Sequence, residues 1–396
     1  MIHFDVKDYN FILYVRIEDL KEHLKKRVEA TLADLACKAP PSGPRNPKPV
    51  TFGDFTEDQA YRMFGEYTSP IDIRSVYSHE HLVLEGDLDK IYNRLAEQGK
   101  QKAERSGAAY FNGPCARLLR FSEVTAQDTE RKAVELHLAP VSWEQFTVLN
   151  NNFDIDLPSG GTETIRSKYA TPKSVYSNDR DFSWCRLSNI LAVTCTPITS
   201  DGFGLVQARN PHGVAVGEGS VNRPMHTVGI NENIHRYLDE VDLANKFHEP
   251  LHEWEPSRKL AADRKNPVDQ TYKVPPGHTL DVYVTARRGM LEEVSKKLFK
   301  LVPITAYKFL NIIYDLYKFQ PTLGGVVELN YTWREVERMI NDFPGADHSE
   351  YLEIKPVNLK SDADVLEILR KDWLVHGRAA FITAANYLRY REKSEG

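Results

Sequence analysis

Cysteine is scarce in this chain of 396 residues, and its scarcity removes whole classes of function. Cys37, Cys115, Cys185 and Cys195 are far apart and form no CxxC pair, so neither a zinc knuckle nor a redox dithiol is supported. The dense disulfide framework of a small secreted domain is missing too, and a reducing cytoplasm is the expected compartment. No run of about 18 apolar residues occurs, so no membrane-spanning helix is expected. The opening "MIHFDVKDYNFILYVRIEDL" has no basic region followed by an apolar core, the mark of a secretory signal. Charge of one sign is not in excess. The formal net charge of −5 gives no reason to expect nucleic acid as a partner. The basic run "KEHLKKR" at 21–27 is interleaved with acid and reads as a solvated helix face.

Several catalytic signatures are also lacking. "GEGS" at 217–220 is followed by no Lys-Ser/Thr, so it is no phosphate loop, and no G-x-S-x-G elbow occurs. His248-Glu249-Pro250-Leu251-His252 matches the zinc-protease pattern only formally. That pattern needs both histidines on one helical face, and a proline between them costs a helix about 3 kcal/mol. His79 and His81 alternate as on a strand, without a visible third ligand.

What is present is an ordinary globular composition on a long chain. Its length suggests two domains, or one with large insertions. Leu20, Leu24, Val28, Leu32 and Leu35 recur at helical spacing over 17–36. The proline-rich stretch 38–50 predicts a loop, and Thr56 before two acids predicts a helix start over 56–64. A strand and then a polar helix are expected over 81–107, strands over 115–124 and 131–143, and a short capped helix over 142–151. Residues 156–185, polar and rich in Gly, Ser and Asp, are the expected linker between an α+β domain (1–155) and a second domain (186–396). In the second domain, 188–209 reads as a hairpin around "SDGFG". Residues 210–278 read as long and irregular. Strands are expected at 306–317 and 322–332, and helices at 333–343 and 362–391.

The stretch "TARRGMLEEVSKKL" (285–298) carries the most chemistry. As a helix it stacks Arg288 one turn from Glu292, with Met290, Leu291, Val294 and Leu298 as an apolar stripe. Taken alone, the pair is an i,i+4 contact on a solvated face. Adjacent carboxylates beside such a stripe also suit a hard divalent cation that takes oxygen ligands and bridges to phosphates.

"RGMLEEV" resembles the REUxEE core of the Nudix box, with Arg288, Met290, Glu292 and Glu293 in matching places. Other stretches fall in the family's order. The hairpin at 187–209 resembles its sheet, and "GVAVGEGSVNRP" (213–224) its glycine-rich loop. "TLGGVVELNYTWREVERMI" resembles the late strand and Trp-led helix, and "HGRAAFITAANYLR" the closing helix. "YFNGPCARLLRF" followed by "VELHLAPVSWEQFTVLNN" resembles the module that precedes divergent Nudix proteins of the UDP-sugar hydrolase type. The likeness spans roughly 108–391.

The resemblance implies a Nudix-like α/β/α sandwich with a mixed sheet over 186–396, carrying an insertion at about 220–278. It implies hydrolysis of the pyrophosphate of a nucleoside diphosphate derivative with Mg²⁺ or Mn²⁺. Glu292 and Glu293 would bind metal, Arg288 would orient Glu292, and Glu218 would be ligand or base. Gly217, Gly219 and Arg209 would contact substrate, and a homodimer is compatible with this reading. Two departures stand out. The family's first helix glutamate is Gly289 here, and the spacing from Gly219 to Arg288 far exceeds that of the box. Glu218, or Glu232, Glu240, Glu253 or Glu255 from the insertion, would have to replace the missing carboxylate. The alternative is a Nudix-like protein that binds a nucleotide or acts as a scaffold without catalysis.

Overall fold

The computed structural model describes residues 48–78, 80–106, 114–124, 132–158, 163–170, 180–209, 226–233, 282–345 and 351–395. The helix expected at 17–36, the glycine-rich loop with Gly217, Glu218 and Gly219, and the HExxH-like stretch lie outside them. So do His79 and the greater part of the expected insertion.

Strand β1 (Lys48–Phe52) opens the described chain and pairs antiparallel with β2 (Phe55–Gly65). The proline-rich loop therefore ends earlier than expected, and 56–64 is strand rather than helix. A helix cap at Thr56 is worth about 1 kcal/mol. It is outweighed by a ladder that β2 shares on both edges and by burial of Ala60 at 0% exposure. At the end of β2, Gly65 has φ +81°, and a Cβ there would run into the Leu310 carbonyl oxygen. Only glycine takes this turn without strain.

Strand β3 (Ile71–Tyr77) and helix α1 (Asp87–Ser106) follow; 81–85, expected to be a strand, belongs to no ladder. Strands β4 (Pro114–Val124) and β5 (Lys132–Ser142) are present as expected, and the structure pairs them antiparallel. Helix α2 (Trp143–Asn150) starts at a capping box in which Ser142 and Gln145 exchange side-chain and backbone bonds. Helix α3 (Ile165–Tyr169) lies inside the expected linker. That segment is packed: Leu157, Ile165 and Cys185 are buried, and Phe182 stacks on Tyr314 with ring centroids 5.4 Å apart. Its polar composition hides a few apolar anchors, and strands from both sides of it share one sheet.

The hairpin β6 (Ala192–Ile198) and β7 (Phe203–Arg209) is closed only near its tip, at Ile198 and Gly204. Further along, β8 (His226–Val228) pairs with β7, and β9 (Ile230–Asn233) pairs with β6. The first described part of the expected insertion is thus sheet. Next come α4 (Val282–Gly289), a π-helical turn at Met290–Val294, and α5 (Lys296–Leu301). Strands β10 (Tyr307–Asp315) and β11 (Gln320–Glu328), then α6 (Trp333–Asp342), match expectation. Strand β12 (Tyr351–Asn358) was not signalled by the pattern. The last expected helix is two, α7 (Asp362–Leu369) and α8 (Val375–Glu395).

The described strands form one mixed sheet in the order β12-β7-β6-β11-β10-β3-β5-β4, with β2 also on β10. The pairs β6–β11 and β3–β5 are parallel and the others antiparallel. A register shift between Phe309 and Asn311 interrupts the alternation along β10, so Phe309 and Ile312 reach one core and Leu310 and Ile313 the other. The first core holds side chains of α1, α4, the π turn, α5 and α6. The second holds α7 and α8. The molecule is an α+β protein whose large mixed sheet carries helices on both faces. Helix α8 buries Ala379, Ala380, Phe381, Ile382, Ala384 and Ala385 completely, and its small residues let the backbone approach the sheet.

Candidate functional site

The Nudix-box-like stretch is not one continuous α-helix. Helix α4 runs into the π turn, where the Ser295 amide reaches back five residues to the Met290 carbonyl at 2.9 Å. A π turn inserts a residue, rotates the following side chains relative to an α-helix, and is frequent at functional sites. Ser295 then leaves the helix with extended geometry (φ −162°, ψ 131°) and caps α5. Its Oγ accepts from the amides of Lys297 and Leu298. The same hydroxyl lies 3.0 Å from the Met339 carbonyl and 2.8 Å from that of Phe343, tying the break to the end of α6.

The expected pairing of Arg288 with Glu292 is present, with Nε to Oε2 at 3.8 Å. The solvated face is not. Arg288 is 1% exposed and Glu292 4%, and the apolar stripe of Met290, Leu291, Val294 and Leu298 is buried as well. From Val282 to Ser295 only Tyr283, Arg287 and Glu293 keep partial exposure. A helix buried on nearly all sides is covered by more than the sheet it packs on. One cover comes from Gln207 on β7, whose side-chain amide donates to the Glu293 carbonyl at 2.9 Å. Another is Gly345, where a Cβ would strike the Glu292 carbonyl oxygen, so the backbone after α6 seats directly on the π turn. Arg287 packs on α5. Its guanidinium lies 4.8 Å from the Phe299 ring and donates to the Phe299 carbonyl at 3.1 Å.

Of the residues expected at a site, Arg288, Glu292 and Glu293 therefore come together in one short segment. Strand alternation puts Arg209, the half-buried last residue of β7, on the same face as Gln207, which touches that segment. Gly217, Glu218 and Gly219 lie outside the described residues. So do Glu240, Glu253 and Glu255, while Glu232 is paired through its backbone with Val193. Among the described residues no group of three or more His, Cys, Asp or Glu is placed to hold a metal ion. Gln207, Ser295 and Gly345 had not been singled out. Only Ser295 carried a readable signal, as a serine placed to cap "KKLFKL".

Among the described cysteines, Cys115, Cys185 and Cys195 are buried, and burial pushes the Cys185 thiol up to about 11. Among the described residues no helix is long and apolar enough to cross a membrane. No family model matches the chain, and no curated protein does either.

Proposed function

We propose that this chain is a divergent Nudix-like protein that binds a nucleoside diphosphate derivative without hydrolysing it. The observation that carries this reading is the buried Arg288–Glu292 pair. A divalent ion on a pyrophosphate takes several oxygen ligands from protein, water and substrate. Gly289 stands where the family has one of those ligands, and Glu292 faces Arg288 inside the core. Glu293, half-buried at the π turn, is the carboxylate of the pair with access to solvent. The described carboxylates do not fit a Mg²⁺ or Mn²⁺ centre, and this favours binding over turnover. The family assignment draws its support from the helix–sheet–helix layering and from the order of the hairpin β6–β7, the box-like helix, β11, α6 and α8.

Calorimetry of the full chain with UDP-glucose and with ADP-ribose, each with and without Mg²⁺, tests the reading. Chromatography of the same mixtures reports on products. The expected result is binding of one of them that Mg²⁺ barely changes, with no mononucleotide released. Mg²⁺-dependent release that is lost on Glu292→Gln and Glu293→Gln would instead establish hydrolysis. No binding of either ligand would sink both forms of the proposal.

A further inference from the structure

Arg117 sits on β4 with its side chain 4% exposed. The outer edge of β4 is lined by the chain from 180 to 191. Leu118 donates its amide to the Asn189 carbonyl at 3.1 Å, Leu191 donates to Ala116 at 2.9 Å, and Phe182 donates to Leu119 at 2.7 Å. On the other edge Arg117 stands opposite Ala139 of β5. Cross-strand partners share a face, so Arg117 projects on the side of Cys115, Ala139, Val141 and Ile190. That side is apolar, and Phe146 and Trp143 of α2 pack onto it.

An arginine in such surroundings ordinarily has a carboxylate, because a buried charge without a counter-charge is strongly disfavoured. Among the described residues Arg117 has none within ion-pairing distance. Its one hydrogen bond runs from an η-nitrogen to the Cys185 carbonyl at a long 3.5 Å, and its buried Nε has no acceptor. Glu80 attracts it from farther off but is exposed. The nearby Cys185 thiol, raised by burial, stays protonated at neutral pH and supplies no negative charge. Burial pushes the Arg117 guanidinium below its ordinary value, yet an arginine starts so far above neutrality that it stays charged, and its planar fork matches two oxygens of a carboxylate or phosphate.

We infer that Arg117 anchors a binding site for an oxyanion, the phosphate or carboxylate of a ligand whose body is apolar. The anion supplies the missing acceptors, and the wall of Val141, Phe146 and Ile190 accepts the apolar part. The site lies on β4 and uses no residue of the α4–α5 segment, so it stands or falls independently of the nucleotide reading.

The test is thermal unfolding of the full chain at constant ionic strength, titrated with inorganic phosphate, phenyl phosphate, acetate and benzoate. One phenyl-bearing anion should stabilise the wild type saturably and more than its inorganic or acetate counterpart. Whether phenyl phosphate or benzoate does so identifies the acid group. Arg117→Lys, which keeps charge but loses the fork, should bind at least tenfold more weakly. Arg117→Met should show no stabilisation by the anion, yet melt no lower than wild type without it. The Lys variant carries the test if the Met variant does not fold. Absence of saturable stabilisation in the wild type, or undiminished binding by Arg117→Lys, overturns the inference. So does a ligand-free Glu80→Gln protein that melts well below wild type, since Glu80 would then be the structural counter-ion.

Discussion

Among the described residues two arginines are buried, Arg288 and Arg117, and their surroundings differ in kind. Arg288 lies on a helix, where the residue four positions on shares its face, and that residue is Glu292. Arg117 lies on a strand, where its same-face neighbours are Cys115, Ala139 and Ile190, none of them acidic. Helical periodicity lets a short sequence carry its own counter-ion into the core. Strand alternation hands that choice to whatever packs across the sheet. One arginine is thus internally compensated, and the other is left with a single backbone acceptor. A buried arginine that has a carboxylate within ion-pairing distance is a structural feature. A buried charge without a partner is where an external ligand has something to offer.

The comparison can be broken most forcefully at Glu292. Glu292→Ala leaves Arg288 in the core without its carboxylate, and about 3–5 kcal/mol of stability should be lost. Replacing both partners, Arg288→Met with Glu292→Leu, should cost less than the single change, since no uncompensated charge remains. Urea unfolding of both variants checks this. If the single and double variants were equally unstable, the ion pair would not be what distinguishes Arg288 from Arg117. A smaller effect is expected at Ser295, which fixes the register of the π turn against α6. Ser295→Ala removes the cap of α5 and the hydroxyl bond to the α6 carbonyls, costing about 1–2 kcal/mol by the same measurement.

The smallest effect concerns an intermediate case, Glu57 with Arg378 at 3.3 Å, in which the acid is 1% exposed and the arginine reaches solvent. Burial raises the Glu57 pKa despite opposing contributions from the Gln59 amide and Arg378. A raised folded-state pKa means stability that is present below the unfolded value and lost as pH rises through the folded value. Glu57→Gln removes that dependence. The stability difference between variant and wild type should therefore move in the variant's favour from acid toward neutral pH. Melting curves across that range decide it. A difference that stays flat would show that Arg378 fully compensates the acid.

Much of the local architecture is legible in the sequence. The capped helix α2, the "SDGFG" turn, strands β10 and β11 and helix α6 all follow from signals that act within a few residues. Strand β2 was misread as a helix because its cap-like start is local, whereas the ladder with β10 comes from more than 200 residues away. Strands β8 and β9 hid in a polar, glycine-rich stretch because they pair into a hairpin opened by long-range contacts. Of the candidate site, the Arg288–Glu292 spacing was legible. The contacts of Gln207 and Gly345 with the π turn were not.

The sequence by itself determined that Arg288 and Glu292 stand four residues apart, within reach of each other on a helix, and they stay paired although a π turn begins at Met290. It also determined that Gly289 brings no carboxylate. Only the tertiary structure decided that the pair is buried and that Arg117 is buried without one. Burial depends on which distant segments close over a residue. Here Gln207 and Gly345 cover the π turn, and the chain at 180–191 lines the edge of β4. That closure turns an ordinary charged helix into an internal ion pair and leaves an arginine of β4 without a counter-ion.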